Sequence, residues 1–205
     1  RRSLEHANEK RREMEKANER LLEKSETDPL TRLANRFRLN DYLERAFERT
    51  RDDHRAFAVE ILDIDYFKEY NDNYGHQAGD ACIVAIADEL RKMQSHDTFC
   101  ARYGGDEFII IYEYKTEDEV FSMADSLRER ILDRRIEHVC SKALPVVTIS
   151  QGICFDVAPE GSRSWDFLHA ADMMLYEVKK RSRNNISLGH LDAKEARYGE
   201  ERKFL

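Results

Sequence analysis

Two strand-like segments flank a short turn that holds two glycines and two carboxylates, and this pattern predicts a β-hairpin. The turn reads Gly-Gly-Asp-Glu at residues 104–107, between apolar residues 99–101 and 108–112. Glycine takes a positive φ without a Cβ clash and lets a bulky group approach the backbone closely. The adjacent carboxylates, Asp106 and Glu107, are hard oxygen ligands of the kind that Mg²⁺ needs when it also holds phosphates. The alternative is a solvated turn, because Gly and Asp are ordinary turn residues.

A second acidic cluster follows another apolar run. Residues 56–64 are almost continuously apolar, which is typical of a central strand buried on both faces, and Asp63 lies near its end. Two neighbouring buried strands would bring Asp63 and Asp106 to one edge of a sheet. Carboxylates so close together resist joint ionisation unless a cation lies between them. We therefore expect a Mg²⁺ site there, with Mn²⁺ as an alternative metal.

The remaining pattern predicts an α+β fold in which helices pack against a sheet built around hairpins. Apolar residues at helical spacing alternate irregularly with apolar runs of strand length. The predicted elements are a helix after Asn35, helices over residues 77–93, 117–136 and 165–181, a hairpin over residues 98–113, and strands over residues 56–64 and 145–155.

The two ends of the chain differ from its centre. Residues 1–25 read as one polar helix whose heptad d positions are apolar, whereas most a positions are not. They form either a two-helix stalk or a solvated single helix, and Asp28-Pro29 ends the segment. Because the chain starts in mid-helix without Met, we expect a longer protein with an upstream sensory domain. The predicted domains are therefore a stalk over residues 1–25, a catalytic domain over 26–188 and a polar tail over 189–205, to which no role is assigned.

Composition narrows the class of partner. With 205 residues, 41% of them hydrophobic, the chain can bury one substantial core. The net charge of -7 argues against nucleic acid as a partner, because phosphate neutralisation needs a basic excess. The four cysteines lack metal-ligand spacing and read as reduced thiols. No apolar stretch is long enough for a membrane span and no signal peptide is visible, so we expect a cytoplasmic location without membrane contact by this fragment.

The acidic segments at residues 59–80 and 102–108, taken together, resemble the GGDEF family of diguanylate cyclases, over about residues 25–186. That family joins two GTP molecules into cyclic di-GMP and releases two pyrophosphates. The resemblance implies a central, mostly antiparallel sheet with a palm-like, ferredoxin-like core. It also implies a homodimer in which each domain holds one GTP. Two alternatives remain: a catalytically silent domain that binds GTP or cyclic di-GMP, and a sister cyclase that accepts ATP.

The resemblance implies specific roles in the chemistry. The side chain of Asp63, the carbonyl of Ile64 and the side chain of Asp106 match metal ligands, with Glu107 as a carboxylate close to the metal. Either Asp106 or Glu107 would deprotonate the attacking 3′-hydroxyl, and the sequence leaves that choice open. Lys68 matches a position that stabilises charge in the transition state.

The substrate contacts follow from the same resemblance. Asn71 and Asp80 match guanine readers, and the chemistry fits, because a carboxylate accepts from guanine N1–H and its 2-amino group. Phe67 and His76 match further substrate-contacting positions. Lys179 and Arg183 match ligands of the β- and γ-phosphates, and their i, i+4 spacing would place them on one helix face. A basic turn that complements the helix dipole is the simpler interpretation of that pair.

Two positions and one short segment depart from the family pattern. Arg32 and Ser182 stand where the family usually has glycine, which puts the local turn geometry in doubt. Many family members also carry an Arg-x-x-Asp site for the product, and residues 95–98 of this chain read Ser-His-Asp-Thr instead. Without the guanidinium a bidentate contact to the product is lost, so we expect little inhibition by cyclic di-GMP through this surface.

Overall fold

The computed structural model describes residues 26–191, together with residues 10–12, 14 and 21, and its centre is a five-stranded sheet with helices on both faces. Within residues 26–191 the helices are α1 (Arg36–Asp52), α2 (Phe67–Tyr74), α3 (His76–Met93), α4 (Glu117–Asp133) and α5 (Ser164–Arg181). The strands are β1 (Ala56–Ile64), β2 (Thr98–Gly104), β3 (Glu107–Glu113), β4 (Ile149–Val157) and β5 (Ile186–Gly189).

The sheet has the order β2-β3-β1-β4-β5, with β1 at its centre. The pairs β2–β3, β3–β1 and β1–β4 are antiparallel, and β4–β5 is parallel. Alternate residues of β1 face two separate cores, because successive side chains of a strand point to opposite faces. Leu62 packs with α3 and α4 on one face, and Phe57 packs with α1 and α5 on the other. The predicted α+β fold with a mostly antiparallel sheet is confirmed.

The strand register places the two acidic segments together. Asp63 lies opposite Glu107 on β3 and opposite Ser150 on β4. The β2–β3 turn is held from within, since the Arg102 guanidinium donates to the Gly105 carbonyl at 2.8 and 3.1 Å. Gly105 itself has a φ of +53°, as the predicted glycine turn requires. The hairpin and its position beside β1 are therefore as the sequence predicts.

Some element boundaries differ from the prediction. Helix α4 ends at Asp133 rather than at residue 136, because Arg135 takes a φ of +47° and leaves the helical conformation. Strand β4 begins at Ile149, four residues later than predicted. Strand β5 has no counterpart among the predicted elements, and it pairs with β4 over residues 186–189.

The predicted stalk lies largely outside the described residues, and residues 192–205 of the predicted tail do so too. Within the stalk, residues 10–12, 14 and 21 are helical, and the side chains of Met14 and Leu21 are exposed. All four cysteines are free thiols, and three of them are buried. In the described part of the chain, no helix is both long enough and apolar enough to cross a membrane.

Candidate active site

Three carboxylates meet where β1 and β3 reach the same edge of the sheet. Asp63 is buried near the end of β1, whereas Asp106 and Glu107 are half-buried in and beside the hairpin turn. We call Asp63, Asp106 and Glu107 the carboxylate edge. The pKa of Asp63 is raised to about 7, mainly by burial and also by the charges of Asp106 and Glu107, although Lys179 acts to lower it. The predicted convergence of the two acidic segments is thus present in the structure.

Lys179, from the last turn of α5, supplies positive charge to this edge. Its Nζ lies 2.7 Å from Asp63 Oδ2, and its charge also lowers the pKa values of Asp106 and Glu107. Burial nevertheless raises the pKa of both carboxyls. Asp172, on the same helix as Lys179, adds further negative charge near Glu107. Arg102 also lowers the pKa of Asp106, but its guanidinium is paired with Asp28 at 3.3 Å. The Lys179 ammonium and this shared guanidinium do not balance the carboxylate edge, and this imbalance favours a bound cation.

The oxygen atoms at the carboxylate edge fit a metal site shared with a substrate better than a site formed by protein side chains alone. Among the described residues, no three His, Cys, Asp or Glu side chains are arranged to hold a metal by themselves. Mg²⁺ is usually held by one or two carboxylates together with substrate phosphates and water. Asp63, Asp106 and the neighbouring Ile64 carbonyl supply a set of that size. The residues therefore fit a metal ion that the phosphates of a nucleotide help to hold.

Helix α2 begins directly beyond β1 and so starts at the same edge. Tyr66 precedes it with a φ of +56°, which turns the chain from the strand into the helix. The Nε2 of His138 lies 3.0 Å from the Tyr66 carbonyl and thereby braces the turn. Lys68, in the first turn of α2, is exposed. Free N–H groups at a helix start attract phosphate, and the exposed ammonium of Lys68 lies on the same first turn.

The side chain of Asn71 contains a buried oxygen atom that lacks a hydrogen-bond donor in the part of the chain that the structure describes. Its Oδ1 is buried and accepts no hydrogen bond within the described residues. A Cβ atom on Gly79 would lie 1.8 Å from this oxygen, so only glycine at position 79 admits the amide where it is. Asp80 follows Gly79 directly, and His76 begins the same helix; both are exposed. The structure therefore brings the predicted guanine reader Asn71 against the start of α3, beside Asp80.

Phe67, the first residue of α2, frames the same corner. Its Cζ lies 3.3 Å from where a Gly79 Cβ would be, and its ring stacks with Tyr70 at 6.2 Å between centroids. The edge of the Phe67 ring therefore lies against Gly79, the residue that also contacts the Asn71 amide. The predicted substrate contact of Phe67 stays a prediction, and its position agrees with that role.

Arg183 reaches this region by a different route from the predicted one. Helix α5 ends at Arg181, and Arg183 lies beyond it with a φ of +53°, so Lys179 and Arg183 do not share a helix face. The helix stops because Ser182 takes non-helical angles, φ −138° and ψ −27°. The Arg183 guanidinium nevertheless lies at the end of β1, 3.6 Å from Asp65 and 4.3 Å above the ring of Tyr66.

Asp65 is the principal residue beside the candidate site that sequence reasoning missed. It is fully buried and contacts Arg183. The available signal was the repeated acid in Asp63-Ile64-Asp65, since Asp65 is the second carboxylate beyond a buried strand. His138 carried no such signal, because it lies in a loop far along the chain from Tyr66.

The product-site prediction concerns a different surface. A cavity of about 510 Å³ includes Ser95, His96 and Thr98 in its lining, together with Arg32. Asp97 is held by Ser95 and by Lys115, whose Nζ lies 2.9 Å away. Arg32 has a φ of +61°, which explains why the family usually places glycine there. Weak product binding at this surface stays a prediction.

The sequence of this chain is similar to those of known proteins. Residues 25–185 match the family described as "Diguanylate cyclase, GGDEF domain". The bifunctional diguanylate cyclase/cyclic di-GMP phosphodiesterase MucR of Pseudomonas aeruginosa is 34% identical over 171 residues, covering 82% of this chain and 24% of that protein. Diguanylate cyclase DgcP of the same organism is 35% identical, covering 81% and 24%. The chain spans about a quarter of the length of these two relatives.

The fold of this chain is also similar to solved structures of GGDEF domains. The coiled coil and GGDEF domain of DgcB from Caulobacter crescentus, in complex with c-di-GMP, has a TM-score of 0.74 at 28% identity, covering 91% of this chain and 97% of that one. The DgcB GGDEF domain by itself has a TM-score of 0.73 at 31% identity, covering 80% and 93%. With the family match, the shared fold and the acidic residues of β1 and the β2–β3 turn all in agreement, the chain belongs to the GGDEF domain family of diguanylate cyclases.

Proposed function

We propose that this domain is a Mg²⁺-dependent diguanylate cyclase that condenses two GTP molecules into cyclic di-GMP and two pyrophosphates. The observation that carries the proposal is the carboxylate edge, where three acids share the Lys179 ammonium and only Asp106 is also influenced by Arg102. Such an excess of partly buried negative charge is costly unless a cation completes it. The intact acids also disfavour a catalytically silent binding module, which would not need them.

The protein groups divide the work of an in-line displacement. Asp106 or Glu107 takes the proton of the 3′-hydroxyl as its oxygen bonds to the α-phosphorus of the second GTP. The bond from that phosphorus to the bridging oxygen breaks, and pyrophosphate leaves. Burial raises the pKa of both carboxyls, which makes each a stronger proton acceptor than an exposed carboxylate.

The remaining residues position the nucleotide and balance its charge. Lys68, Lys179 and Arg183 would contact the phosphates, so that charge developing on the triphosphate meets fixed cations. A Mg²⁺ ion held by Asp63, Asp106 and the Ile64 carbonyl would add charge neutralisation when bound.

Base recognition would rest on the corner between α2 and α3. The unpartnered Asn71 Oδ1 and the exposed Asp80 offer acceptors for the N–H groups of guanine. His76 and Phe67 complete the contacts there. Adenine lacks the donor pair that Asp80 would accept, which disfavours the ATP-using sister cyclase.

Each domain would hold one GTP, so two domains must face each other for both bonds to form. A homodimer is therefore part of the proposed mechanism. The longer protein would bring the domains together through an upstream sensory region, and the proposed setting is the cytoplasm.

Product identification tests the proposal directly. We expect the purified protein, given GTP, ATP and Mg²⁺, to form cyclic di-GMP and pyrophosphate, with little mixed dinucleotide, as read by mass spectrometry. Asp106→Ala prepared in the same way controls for contaminating cyclases. Bound but unconverted GTP in the parent protein would instead support the silent module.

The dimer requirement has its own measurement. If each protomer owns half a site, activity per protomer must rise with protein concentration until dimers saturate. Activity per protomer that stays constant through a range shown by light scattering to be monomeric would contradict the two-domain mechanism.

A further inference from the structure

The side chain of Asp65 is fully buried, and its contacts join three distant segments of the chain. Thr148 Oγ1 donates to its Oδ2 at 2.7 Å, and Ser150 Oγ donates to its Oδ1 at 2.6 Å. The backbone N–H of Asn184 donates to Oδ2 at 2.9 Å. The Arg183 guanidinium lies 3.6 Å from Oδ1. A buried carboxylate is tolerated only when it is paired and hydrogen-bonded, and both oxygens of Asp65 meet that condition.

The segment that Asp65 holds is strained. Arg183 and Asn184 have φ values of +53° and +42°, and both are in the left-handed region that side chains with a Cβ disfavour. Such residues keep this conformation only where the surrounding structure imposes it. The Asn184 N–H bond to Asp65 is a contact that does so, and it acts at the point where the chain leaves α5.

The held turn sets the direction of a cationic side chain. The Arg183 guanidinium lies between Asp65 and the ring of Tyr66, 4.3 Å from the ring centre. Its side chain stays 27% exposed, so it remains accessible to a ligand. On the neighbouring turn Lys179 contacts Asp63, two residues before Asp65. Two cations from the end of α5 thus lie beside the two acids at the end of β1.

We propose that Asp65 is a positioning residue that aims Arg183 at the terminal phosphates of the bound nucleotide. The inference rests on the proposed function, because it takes Arg183 to be a phosphate ligand. A guanidinium fixed in advance loses less conformational freedom on binding, so its contact contributes more to affinity. Asp65 itself touches no substrate. Its effect should therefore depend on the β- and γ-phosphates, whereas a residue that only stabilises the fold would affect all ligands alike.

The experiment compares two guanine nucleotides, one with and one without the β- and γ-phosphates. Binding of a non-hydrolysable GTP analogue and of GMP, both with Mg²⁺, is measured by calorimetry for the parent, Asp65→Asn, Arg183→Ala and the double variant. For Asp65→Asn we expect about tenfold weaker binding of the analogue, and GMP binding within about twofold of the parent. The double variant should bind the analogue no more weakly than Arg183→Ala, because both changes remove the same contact.

Controls separate positioning from folding. Glu113→Gln alters another buried carboxylate that contacts an arginine, at the far end of β3, and should leave the affinities for both ligands unchanged. If thermal melting shows that Asp65→Asn does not fold, Thr148→Val replaces it, since it removes one of the hydrogen bonds to Asp65. That variant should show the same selective loss of analogue binding, by about threefold.

Several results would overturn the inference. These are unchanged analogue binding in both Asp65→Asn and Thr148→Val, equal losses for GMP and the analogue, or additive effects of Asp65→Asn and Arg183→Ala. Cyclic di-GMP formation by the parent is measured alongside. A parent that binds the analogue but makes no product would refute the proposed activity and leave the Asp65 comparison intact, and a parent that binds neither ligand would refute both.

Discussion

Strand β3 carries a glutamate at each end, and the two ends are built in opposite ways. Glu113 is buried and accepts hydrogen bonds from Arg49 Nε at 3.0 Å, Arg49 Nη2 at 2.9 Å and the Tyr42 hydroxyl at 2.6 Å. Glu107, at the other end, belongs to the carboxylate edge and shares Lys179 with Asp63 and Asp106. The negative charge at the Glu113 end is balanced by a cationic partner, whereas the negative charge at the Glu107 end is not fully balanced.

The difference teaches that charge balance, rather than burial, distinguishes the proposed functional end of this sheet. Glu113 is more deeply buried than Glu107, but its charge is balanced within the protein by Arg49, and the Tyr42 hydroxyl also donates to it. A complete ion pair needs no ligand and contributes to the fold. An incomplete cluster keeps unfavourable repulsion in the free protein, which a bound cation can relieve. Changes at the two ends should therefore affect different measurable properties.

The largest expected effect is on activity at the incomplete end. Asp63→Ala or Asp106→Ala should lower cyclic di-GMP formation by roughly a thousandfold or more, because the metal would lose one of few protein oxygens. Neither change should reduce thermal stability by much, since burial already disfavours the ionised form of both carboxyls, and this offsets the loss of the Lys179 contact. Turnover rates and melting temperatures on the same preparations provide the check. Near-parental turnover in either variant would show that these acids are not metal ligands.

A second effect concerns pH and the metal-free protein. The pKa of Asp63 is raised to about 7 from an ordinary value of 3.8, so the folded state keeps a proton that the unfolded chain releases. Stability should therefore fall as pH rises from about 4 to about 7, by roughly 1.4 kcal/mol per pH unit within that range. Burial is the main cause of this raised pKa; the charges of Asp106 and Glu107 add to it, and Lys179 opposes it.

The measurement is chemical unfolding at pH 5 and pH 8 in chelator. Buried Glu60, whose pKa burial also raises to about 7, contributes in the same direction, so the parent is compared with Asp63→Asn. The variant should show the smaller loss of stability between the two pH values. Equal losses in the two proteins would mean that Asp63 ionises normally in the free protein.

The third prediction concerns the Glu113 end, where we expect a loss of stability without a loss of activity. Glu113→Gln should destabilise the fold by about 2 kcal/mol, because the buried end of a charge-assisted network is lost while Arg49 is partly solvated. Activity per folded protomer should stay close to that of the parent. Urea unfolding gives the first quantity and turnover gives the second. A variant with parental stability but impaired turnover would erase the distinction between the two ends.

The smallest expected effect is stabilisation by the metal alone. If Mg²⁺ binds the folded carboxylate edge, a concentration ten times its dissociation constant should stabilise the parent by about 1.4 kcal/mol. Asp63→Ala should lose most of this gain, whereas Glu113→Gln should keep it. Calorimetric melting with and without Mg²⁺ tests both statements, with Ca²⁺ and Mn²⁺ as comparison ions. An equal gain in the parent and Asp63→Ala would place the ion elsewhere.

Much of the fold could be predicted from the sequence because its signals are local. The apolar run of β1 and the glycine turn between β2 and β3 each determine their own conformation, and both occur as predicted. The antiparallel pairing of β1 with β3 then brings Asp63 to Glu107. Strand β5 lacked such a signal. It is four residues long and half-buried, and its pairing with β4 is a tertiary contact.

The candidate site likewise has features that the sequence predicts and features that only the tertiary structure decides. By itself, the sequence predicted which acids and amides would carry the chemistry, from the strand and turn patterns together with the resemblance to the family. Only the tertiary structure decided how they are held. Asn71 is fixed by the missing Cβ of Gly79, and Arg183 leaves the helix to contact Asp65, 118 positions away in the chain. These contacts depend on packing between segments distant in sequence, where periodicity and local propensity carry no information.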